Sequence, residues 1–364
     1  MSGNSFISRR LAAVSVFIAA TGLTIAGTVT PALADPGPSM TANHNSANIA
    51  VKGPGNSLRF YWAANGSNTW GPETVAGPGS TYSAPSMAVD GNSVNIVAEG
   101  PDHSLLFYWA DNGTSTWHEE TIAGPGSAYS APSIASNGNV VNIAVEGPDH
   151  SLSFYWAFVG TATWHLETVA GSGTTFSAPS MTINGNAANI SAVETDGTLM
   201  FYWAIYGTGT WHAEAIASNV SDAQPSMIAT GNAVNIATTS AYGTVMFYWA
   251  YNGTATWTAE KVSTITGYQG ASLVANGGAA TIAAQGPLDN LTFFWATYGT
   301  GSWHPVNVGG LYNTFSVPSI TSNDGSPNIA AAGSGGRLMF YWATSNTAYW
   351  HPVTVAGVGS VLSR

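Results

Sequence analysis

The 364-residue sequence contains no cysteine, and only 7% of its residues are charged. The absence of cysteine excludes a disulfide framework, so packing alone must hold the folded chain together. Soluble domains usually carry about 25% charged residues, and this surface must therefore be polar mainly through Ser, Thr, Asn and Gly. Basic residues are scarce: seven Lys and Arg against 18 Asp and Glu give a net charge of −11. Because nucleic-acid-binding proteins usually present a basic stripe, we expect no nucleic-acid partner.

Residues 1–34 have the order of a secretory signal peptide. Arg9 and Arg10 precede an apolar run, and a small-residue cleavage site ends at Ala34. Paired arginines also occur in twin-arginine signals, but the residues after this pair fit the general secretory route better. A retained membrane anchor fits less well, because Pro and Gly follow the cleavage site closely. We therefore predict a secreted protein, without membrane insertion after cleavage, whose mature part 35–364 has a net charge of −13.

A tryptophan-containing repeat runs through the whole mature chain. A first tryptophan ends an aromatic tripeptide at intervals of 46 or 47 residues, and a second tryptophan follows each first one after eight residues, so all 14 tryptophans are used. The first tryptophans are Trp62, Trp109, Trp156, Trp203, Trp249, Trp295 and Trp342, and the second are Trp70, Trp117, Trp164, Trp211, Trp257, Trp303 and Trp350. An isoleucine also lies 13 residues before each first tryptophan, and it is preceded by Asn in six of the seven repeats.

Each repeat consists of four short apolar runs separated by turn residues. In the second repeat the runs are PSMAV, SVNIVAEG, SLLFYWA and TWHEETIAG, and the segments between them are rich in Gly, Pro, Asn and Asp. Short runs with β-branched and aromatic residues favour strands. Four strands in about 40–50 residues are typical of one propeller blade. We predict an all-β fold: a seven-bladed β-propeller of four-stranded antiparallel blades, which occupies residues 35–364 as a single domain.

Two further features follow from the predicted ring. A blade is covered on both faces by its neighbours, so we expect Phe107, Tyr108 and Trp109 to be core residues, together with their counterparts in the other repeats. The first repeat begins at its first strand and the seventh ends at its fourth. No strand then needs to be exchanged between the termini, and ring closure depends on side-chain packing between the first and last blades.

The second tryptophan begins a Trp-His-x-Glu pattern. Histidine follows it in five repeats, and glutamate stands at the third place after it in repeats one to five. On a strand, the residues one and three places after the tryptophan point to the same face, opposite to the indole. His and Glu should therefore stand side by side, with the indole against the next blade or at the blade rim. The candidate site residues are Trp117, His118, Glu120, Trp164, His165, Glu167, Trp211, His212 and Glu214.

Three interpretations of this pattern stay open. In the structural one, the second tryptophan packs between blades while His and Glu form a solvated ladder. In the functional one, an exposed indole stacks on the apolar face of a sugar, whose hydroxyls pair with the nearby polar groups. Metal binding by the His–Glu pair is the third, although this spacing is too common to be specific.

The repeat resembles that of the PLL-type bacterial lectins, which are seven-bladed propellers. The elements of the likeness in the second repeat are Ser83-x-Pro85, Asn95-Ile96, Gly100-x-Asp102, Leu105 or Leu106, and Trp109. The third repeat carries the same elements, whereas the other repeats lack the Gly-x-Asp turn. The resemblance implies binding of fucose or a related monosaccharide in pockets between adjacent blades.

A second resemblance concerns the segment 110–117. The sequence ADNGTSTW is similar to the Asp-box of sialidases, a turn between the third and fourth strands of a blade. Only Asp111 supplies the acidic residue of the box, and the box would be a folding motif rather than a catalytic one. Arg59, Arg337 and Arg364 are the only arginines after position 34, and the last is the C-terminal residue. A clamp of three arginines on a substrate carboxylate is therefore not expected.

Repetition itself argues against an enzyme. An active site needs an asymmetric set of groups, whereas the unusual polar residues of this chain recur. We therefore predict no catalytic residue, no cofactor and no metal site. Repeated weak sites suit multivalent binding. The predicted function is a secreted multivalent lectin for glycans; the alternatives are a protein-binding scaffold and, less favoured, a glycan-active enzyme. The oligomeric state stays open, with a homo-oligomer as one option.

Overall fold

Each repeat folds into one four-stranded antiparallel sheet. The computed structural model of the chain describes residues 37–43, 46–221, 223–344 and 349–362, and the predicted signal peptide lies outside them. The described residues form 28 strands in seven sheets, and each sheet takes its four strands in sequence order from a single repeat. The predicted all-β, seven-bladed propeller is confirmed.

The strands are numbered in chain order from the innermost strand of blade one. Blades one and two contain Ser39–Asn43 (β1), Ser46–Gly53 (β2), Ser57–Ala64 (β3), Gly71–Ala76 (β4), Ser86–Asp90 (β5), Ser93–Glu99 (β6), Leu105–Asp111 (β7) and His118–Ala123 (β8). Blades three and four contain Ser133–Ser136 (β9), Val140–Glu146 (β10), Leu152–Phe158 (β11), His165–Ala170 (β12), Ser180–Asn184 (β13), Ala187–Val193 (β14), Leu199–Ile205 (β15) and His212–Ala217 (β16).

The remaining three blades follow the same order. They contain Ser226–Thr230 (β17), Ala233–Thr239 (β18), Val245–Tyr251 (β19), Thr258–Lys261 (β20), Gly270–Asn276 (β21), Ala279–Gln285 (β22), Leu291–Thr297 (β23), His304–Gly309 (β24), Ser319–Asn323 (β25), Ser326–Gly333 (β26), Arg337–Ala343 (β27) and Trp350–Ala356 (β28). Short 3-10 turns join the second and third strands at Pro54–Asn56, Pro101–His103, Pro148–His150 and Pro287–Asp289.

The Gly-x-Asp element of repeats two and three forms part of these 3-10 turns. Asp102 and Asp149 both have left-handed backbone conformations, with φ of 56° and 57°. Aspartate tolerates this conformation better than most residues, because its short side chain can bond locally. In these two repeats the aspartate thus supports the turn.

The hydrophobic core lies in seven layers, one between each pair of neighbouring blades. The isoleucine of every repeat is fully buried, with 0% of its surface exposed. In the layer between blades one and two, for example, Ile96 and Tyr108 of β6 and β7 pack with Leu58 and Phe60 of β3. Burial of each such side chain contributes about 1.5–3 kcal/mol, and repetition around the ring substitutes for disulfides.

Serine hydroxyls join the innermost strands into a ring. In each blade a serine near the start of the innermost strand accepts a hydrogen bond from a backbone N–H of the next blade. The seven N···Oγ distances are 2.9–3.2 Å, for Ser39, Ser86, Ser133, Ser180, Ser226, Ser272 and Ser319. The repeated serine therefore has a structural role.

Ring closure involves no exchanged strand, as predicted. Met40 of blade one donates its N–H to Ser319 of blade seven at 3.0 Å, and Leu362, after β28, donates its N–H to the carbonyl of Lys52 at 3.0 Å. Trp70 also packs edge-on against Phe340, with 5.0 Å between ring centroids. Closure thus combines the predicted side-chain packing with backbone hydrogen bonds. No helix within the described ranges is long and apolar enough to cross a membrane.

Candidate functional site: clefts between neighbouring blades

The polar residues of the Trp-His-x-Glu pattern share one face of each blade. On β7 and β8, Trp109 stands opposite His118 and Phe107 stands opposite Glu120. Because residues two apart on a strand point the same way, these four side chains lie on a common face. The predicted side-by-side placement of His and Glu is therefore confirmed. On this face His118 is exposed, as the structural interpretation expects, whereas Glu120 is half-buried against the following blade.

The second tryptophan lies on the opposite face and packs against the preceding blade. Trp117 meets Phe60 edge-on, with 5.1 Å between centroids, so of the two expected positions, the next blade and the blade rim, the first does not apply. The same contact recurs for all seven second tryptophans, in the pairs Phe60–Trp117, Phe107–Trp164, Phe154–Trp211, Phe201–Trp257, Phe247–Trp303, Phe293–Trp350 and Phe340–Trp70. Each motif is consequently divided: Trp117 lines the cleft with blade one, Glu120 lines the cleft with blade three, and His118 is exposed on the same face as Glu120.

A glutamate connects the indoles of two blades. Glu167 accepts the indole N–H of Trp156, in its own blade, at 3.0 Å and that of Trp211, in the next blade, at 2.9 Å. Glu73 and Glu260 bridge their two tryptophans in the same way, at 2.8–3.0 Å. Glu120 and Glu214 accept from the next blade's Trp164 and Trp257 at 2.9 and 3.0 Å. The carboxylate therefore meets the need of a half-buried indole for an acceptor.

Blades six and seven replace this glutamate with Val306 and Val353. Val353 packs in the same cluster as Trp70, the second tryptophan of blade one. The Nε1 atom of Trp70 is buried and has no hydrogen-bond partner among the described residues. The cleft that closes the ring thus lacks the acceptor that the first five clefts contain.

The histidine stacks on the first tryptophan of its own blade. Trp109 and His118 are 4.1 Å apart between centroids, with an angle of 18° between their planes. Equivalent stacks occur for His165, His212, His304 and His351 at 4.0–4.3 Å. Blade one has Gly71 at this position, and Trp62 lies so close that a Cβ on Gly71 would be 2.8 Å from the indole Cε2. In blade one the first indole therefore lies directly against the backbone of Gly71, where the other blades with histidine have an imidazole ring.

The prediction that the first tryptophans belong to the core is confirmed in part: five of them are partly buried and pack against the core clusters, namely Trp109, Trp156, Trp203, Trp249 and Trp342. Phe107 and Tyr108 are 6% and 1% exposed, as expected, but Trp62 and Trp295 are 43% and 38% exposed, and Trp109 is partly exposed. The first tryptophan precedes the turn between the third and fourth strands, where a cleft opens between neighbouring blades. The sequence feature that indicates this exposure is the position of the tryptophan at the end of the apolar run, next to polar turn residues.

Three clefts have equivalent walls of a first tryptophan, the shared glutamate and a second tryptophan. The cleft between blades one and two has a volume of about 590 Å³ and contains Trp62, Glu73 and Trp117. The cleft between blades two and three measures about 410 Å³ and contains Trp109, Glu120 and Trp164. The cleft between blades five and six measures about 420 Å³ and contains Trp249, Glu260 and Trp303. These volumes are within the usual range for small-molecule sites, about 300–1,000 Å³.

The clefts differ at their outer ends. Asn184 of blade four donates to Asn252 of blade five at 3.0 Å, and Asn323 of blade seven donates to Asn65 of blade one at 2.6 Å, so amide pairs bridge these two clefts. In the cleft between blades three and four the position of Asn252 is taken by Tyr206, whose pKa burial raises to about 12. The repeat therefore gives a common framework with variable side chains.

The axial end of the ring has a different composition. A narrow cavity of about 180 Å³ is lined by Gly, Pro, Ala, Ser, Val and Gln residues of the innermost strands. No acidic or basic side chain lines it within the described part of the chain. Nor do the described residues contain a group of three or more His, Cys, Asp and Glu side chains that could hold a metal ion.

Two further His–Glu pairs lie at the opposite end of the blades from the clefts. His103 Nδ1 is 2.7 Å from Glu99, and His150 Nδ1 is 2.5 Å from Glu146. Burial raises the pKa of Glu146, and the bond to His150 only partly offsets this rise. Sequence reasoning did not identify these pairs, because they depend on the shape of the 3-10 turn.

Solved structures share this fold. BP39L lectin from Burkholderia pseudomallei superposes with a TM-score of 0.80 at 17% identity, over 89% of this chain and 100% of the lectin. SapL1 lectin, solved with alpha methyl fucoside, gives a TM-score of 0.57 at 12% identity, over 79% of this chain and 99% of the lectin. A prolyl endopeptidase gives 0.58 at 12% identity, but this likeness covers only 50% of that enzyme. No family model and no curated protein matches the sequence.

Proposed function

We propose that the protein is a secreted, multivalent lectin that binds monosaccharide units of glycans in the clefts between neighbouring blades. The observation that carries the proposal is the recurring cleft with an exposed or half-buried first tryptophan beside a carboxylate–indole pair. An indole ring offers a flat apolar surface for the C–H face of a sugar, and the surrounding amides and carboxylates offer partners for its hydroxyls.

In this proposal the first tryptophan is the stacking surface. The second tryptophan is held edge-on by a phenylalanine and bonded through its N–H, so it supports the wall. The histidine backs the first indole, and the glutamate fixes the second. Of the residues singled out from the sequence, the tryptophan and the glutamate would support the walls of the proposed site and the histidine would support the first indole, while the contact surface would be Trp109 and its counterparts.

Fucose or a related monosaccharide is the proposed ligand class. SapL1, which shares the propeller fold, was solved with alpha methyl fucoside. The resemblance of the repeat to PLL-type lectins supports the same class. Several linked clefts on one ring would raise the avidity for a glycan-coated surface by a factor of about 10² or more.

A protein-binding scaffold is the second candidate, and one surface favours it. Large apolar side chains are exposed on the loops of blades five to seven, at the end opposite to the clefts: Tyr242, Ile265, Leu288, Leu311, Tyr312 and Val358 are 54–80% exposed. Single exposed apolar residues are ordinary, but a cluster on one side can mark a binding surface. This surface and the clefts could act independently.

A glycan array with the purified protein tests the proposal. We expect binding to glycans with terminal fucose or a related sugar, and weaker binding by a Trp109→Ala variant that keeps its folded near-ultraviolet circular dichroism spectrum. A folded protein that binds no glycan on the array would overturn the lectin proposal and favour the scaffold. Release of free sugar by the same preparation would favour an enzyme. Export through residues 1–34 predicts that the secreted protein begins at Asp35.

A further inference from the structure

The cleft between blades two and three contains two buried polar groups without protein partners. The carboxylate atom Oδ2 of Asp90 and the amide atom Nδ2 of Asn95 have no hydrogen-bond partner in the described ranges. Both side chains are more than nine-tenths buried, at 8% and 4% exposure, and both line this cleft with Trp109 and Glu120. A desolvated polar group without a partner costs stability, so a ligand that supplies the missing bonds would gain affinity.

The same two positions bond to each other in blade five. There the amide of Asn235 donates to the hydroxyl of Thr230 at 2.7 Å. Thr230 and Asn235 correspond to Asp90 and Asn95, which lie as diagonal neighbours across β5 and β6. Side chains at these positions can therefore reach one another or a shared third atom. In blade two they make no such bond, so the acceptor of Asp90 and the donor of Asn95 stay unpaired side by side, each with almost no solvent-accessible surface in the unliganded cleft.

Two substitutions in the repeat explain why Asp90 has no partner. Its counterparts in five other blades are asparagines: Asn43, Asn137, Asn184, Asn276 and Asn323. Two of these, Asn184 and Asn323, bond across the cleft to an asparagine of the next blade, at 3.0 and 2.6 Å. Blade three has Val159 at that facing position, and valine offers no hydrogen bond. This cleft therefore has a carboxylate where five others have an amide and one has the hydroxyl of Thr230, and it has an apolar wall opposite to it.

We propose that Asp90 and Asn95 are specificity-determining residues that bind one hydroxyl group of a sugar in the cleft between blades two and three. A hydroxyl both donates and accepts, so it can donate to the Asp90 carboxylate while it accepts from the Asn95 amide. Hydrogen bonds to a carboxylate are stronger than those to an amide, so we expect this cleft to bind the sugar more tightly than the clefts with asparagine at this position. This inference rests on the proposed lectin function. It adds which cleft should have the higher affinity for the sugar and which groups select the ligand.

Asp90→Asn is the informative variant, because it installs the residue of the other blades and keeps the size of the side chain. Binding of α-methyl fucoside, α-methyl mannoside and α-methyl galactoside is measured by calorimetry. The indole N–H signal of Trp109, assigned with Trp109→Phe, reports on this cleft alone in NMR spectra. We expect the affinity of the best of the three glycosides at this cleft to fall about tenfold. Asp149→Asn, at the opposite end of the blade, removes the same charge and should leave the affinity unchanged.

Val159→Asn tests the same geometry from the other wall. The new amide should donate to the Asp90 carboxylate, in the place where Asn252 accepts from Asn184, so thermal stability should rise while sugar binding at this cleft falls. Asp90 could instead have a purely structural role, for example by holding a water molecule together with Asn95. In that case Asp90→Asn leaves unchanged both the sugar affinity and the sugar-induced shift of the Trp109 indole N–H signal. That result would overturn this inference alone. Failure of the wild-type protein to bind any of the three glycosides would instead count against the lectin proposal.

Discussion

The indole N–H of Trp211 lies 2.9 Å from the carboxylate of Glu167, although 44 positions separate the two residues. The bond joins the outer strand of blade three to the start of the outer strand of blade four. Because the same carboxylate also holds Trp156, one side chain sets the orientation of both aromatic walls of a cleft. The repeated glutamate is in this way a structural part of the candidate binding site.

Removal of this carboxylate should destabilise the ring. Glu167→Val installs the residue that blades six and seven carry, and it leaves the N–H groups of Trp156 and Trp211 without their acceptor. We expect the free energy of unfolding to fall by about 1–3 kcal/mol in guanidinium titrations. Glu167→Gln keeps one acceptor oxygen and should lose less. Equal losses for the two variants would show that the hydrogen bonds are not the cause.

The reverse change, from valine to glutamate, should stabilise the cleft between blades seven and one. Val353→Glu places a carboxylate where the buried N–H of Trp70 has no partner among the described residues. We expect a gain of about 1 kcal/mol in the free energy of unfolding, measured by the same titration. Val306→Glu is the matched control, because among the described residues no buried indole N–H without a hydrogen-bond partner lies beside Val306. A loss of stability at Val353 alone would contradict the assigned role of the glutamates.

The two tryptophan classes should separate binding from folding. Trp164 packs on Phe107 and donates to Glu120, so Trp164→Ala should cost about 3 kcal/mol of stability. Trp109 is partly exposed, so Trp109→Ala should cost less stability and remove sugar binding at its cleft. Thermal denaturation and calorimetric titration of both variants check this. A Trp109→Ala variant that binds sugar like wild type would refute the stacking role.

The Glu146–His150 pair should make stability depend on pH. Burial raises the pKa of Glu146 in the folded state, while His150 lowers it and the charge of Glu99 raises it further. The contribution of a carboxyl with a raised pKa is complete below its ordinary value and is lost as the pH rises through the folded-state value. The stability of wild type relative to Glu146→Gln should therefore decrease as the pH is raised from about 4 to about 7. A relative stability that increases over this interval would contradict the assignment.

The fold could be predicted from the sequence because every structural signal occurs seven times. The buried Ile96 and its counterparts, the turn residues and the strand alternation all follow from local pattern. The alternation also placed His118 and Glu120 on one face. It could not say which blade that face meets, since period-two alternation defines the two faces of a strand and not their neighbours.

The proposed binding surface was harder to predict, because it depends on contacts between different repeats. Trp109 ends an apolar strand like a core residue, and its exposure depends on how far two blades separate near the turn that follows. The partner of Trp117 is Glu73, a residue of another repeat, and no local pattern connects them. Asp90 differs from five of its six counterparts only by a carboxylate in place of an amide, and its lack of a partner depends on Val159, a residue of another repeat.

A crystal structure of the protein with α-methyl fucoside tests the central claim most directly, which is that the clefts between blades bind sugar. The account predicts density for the sugar ring against a first tryptophan in at least the cleft of Asp90, Asn95 and Trp109. Density for the sugar only at the axial cavity, or only on the loops opposite to the clefts, would contradict it.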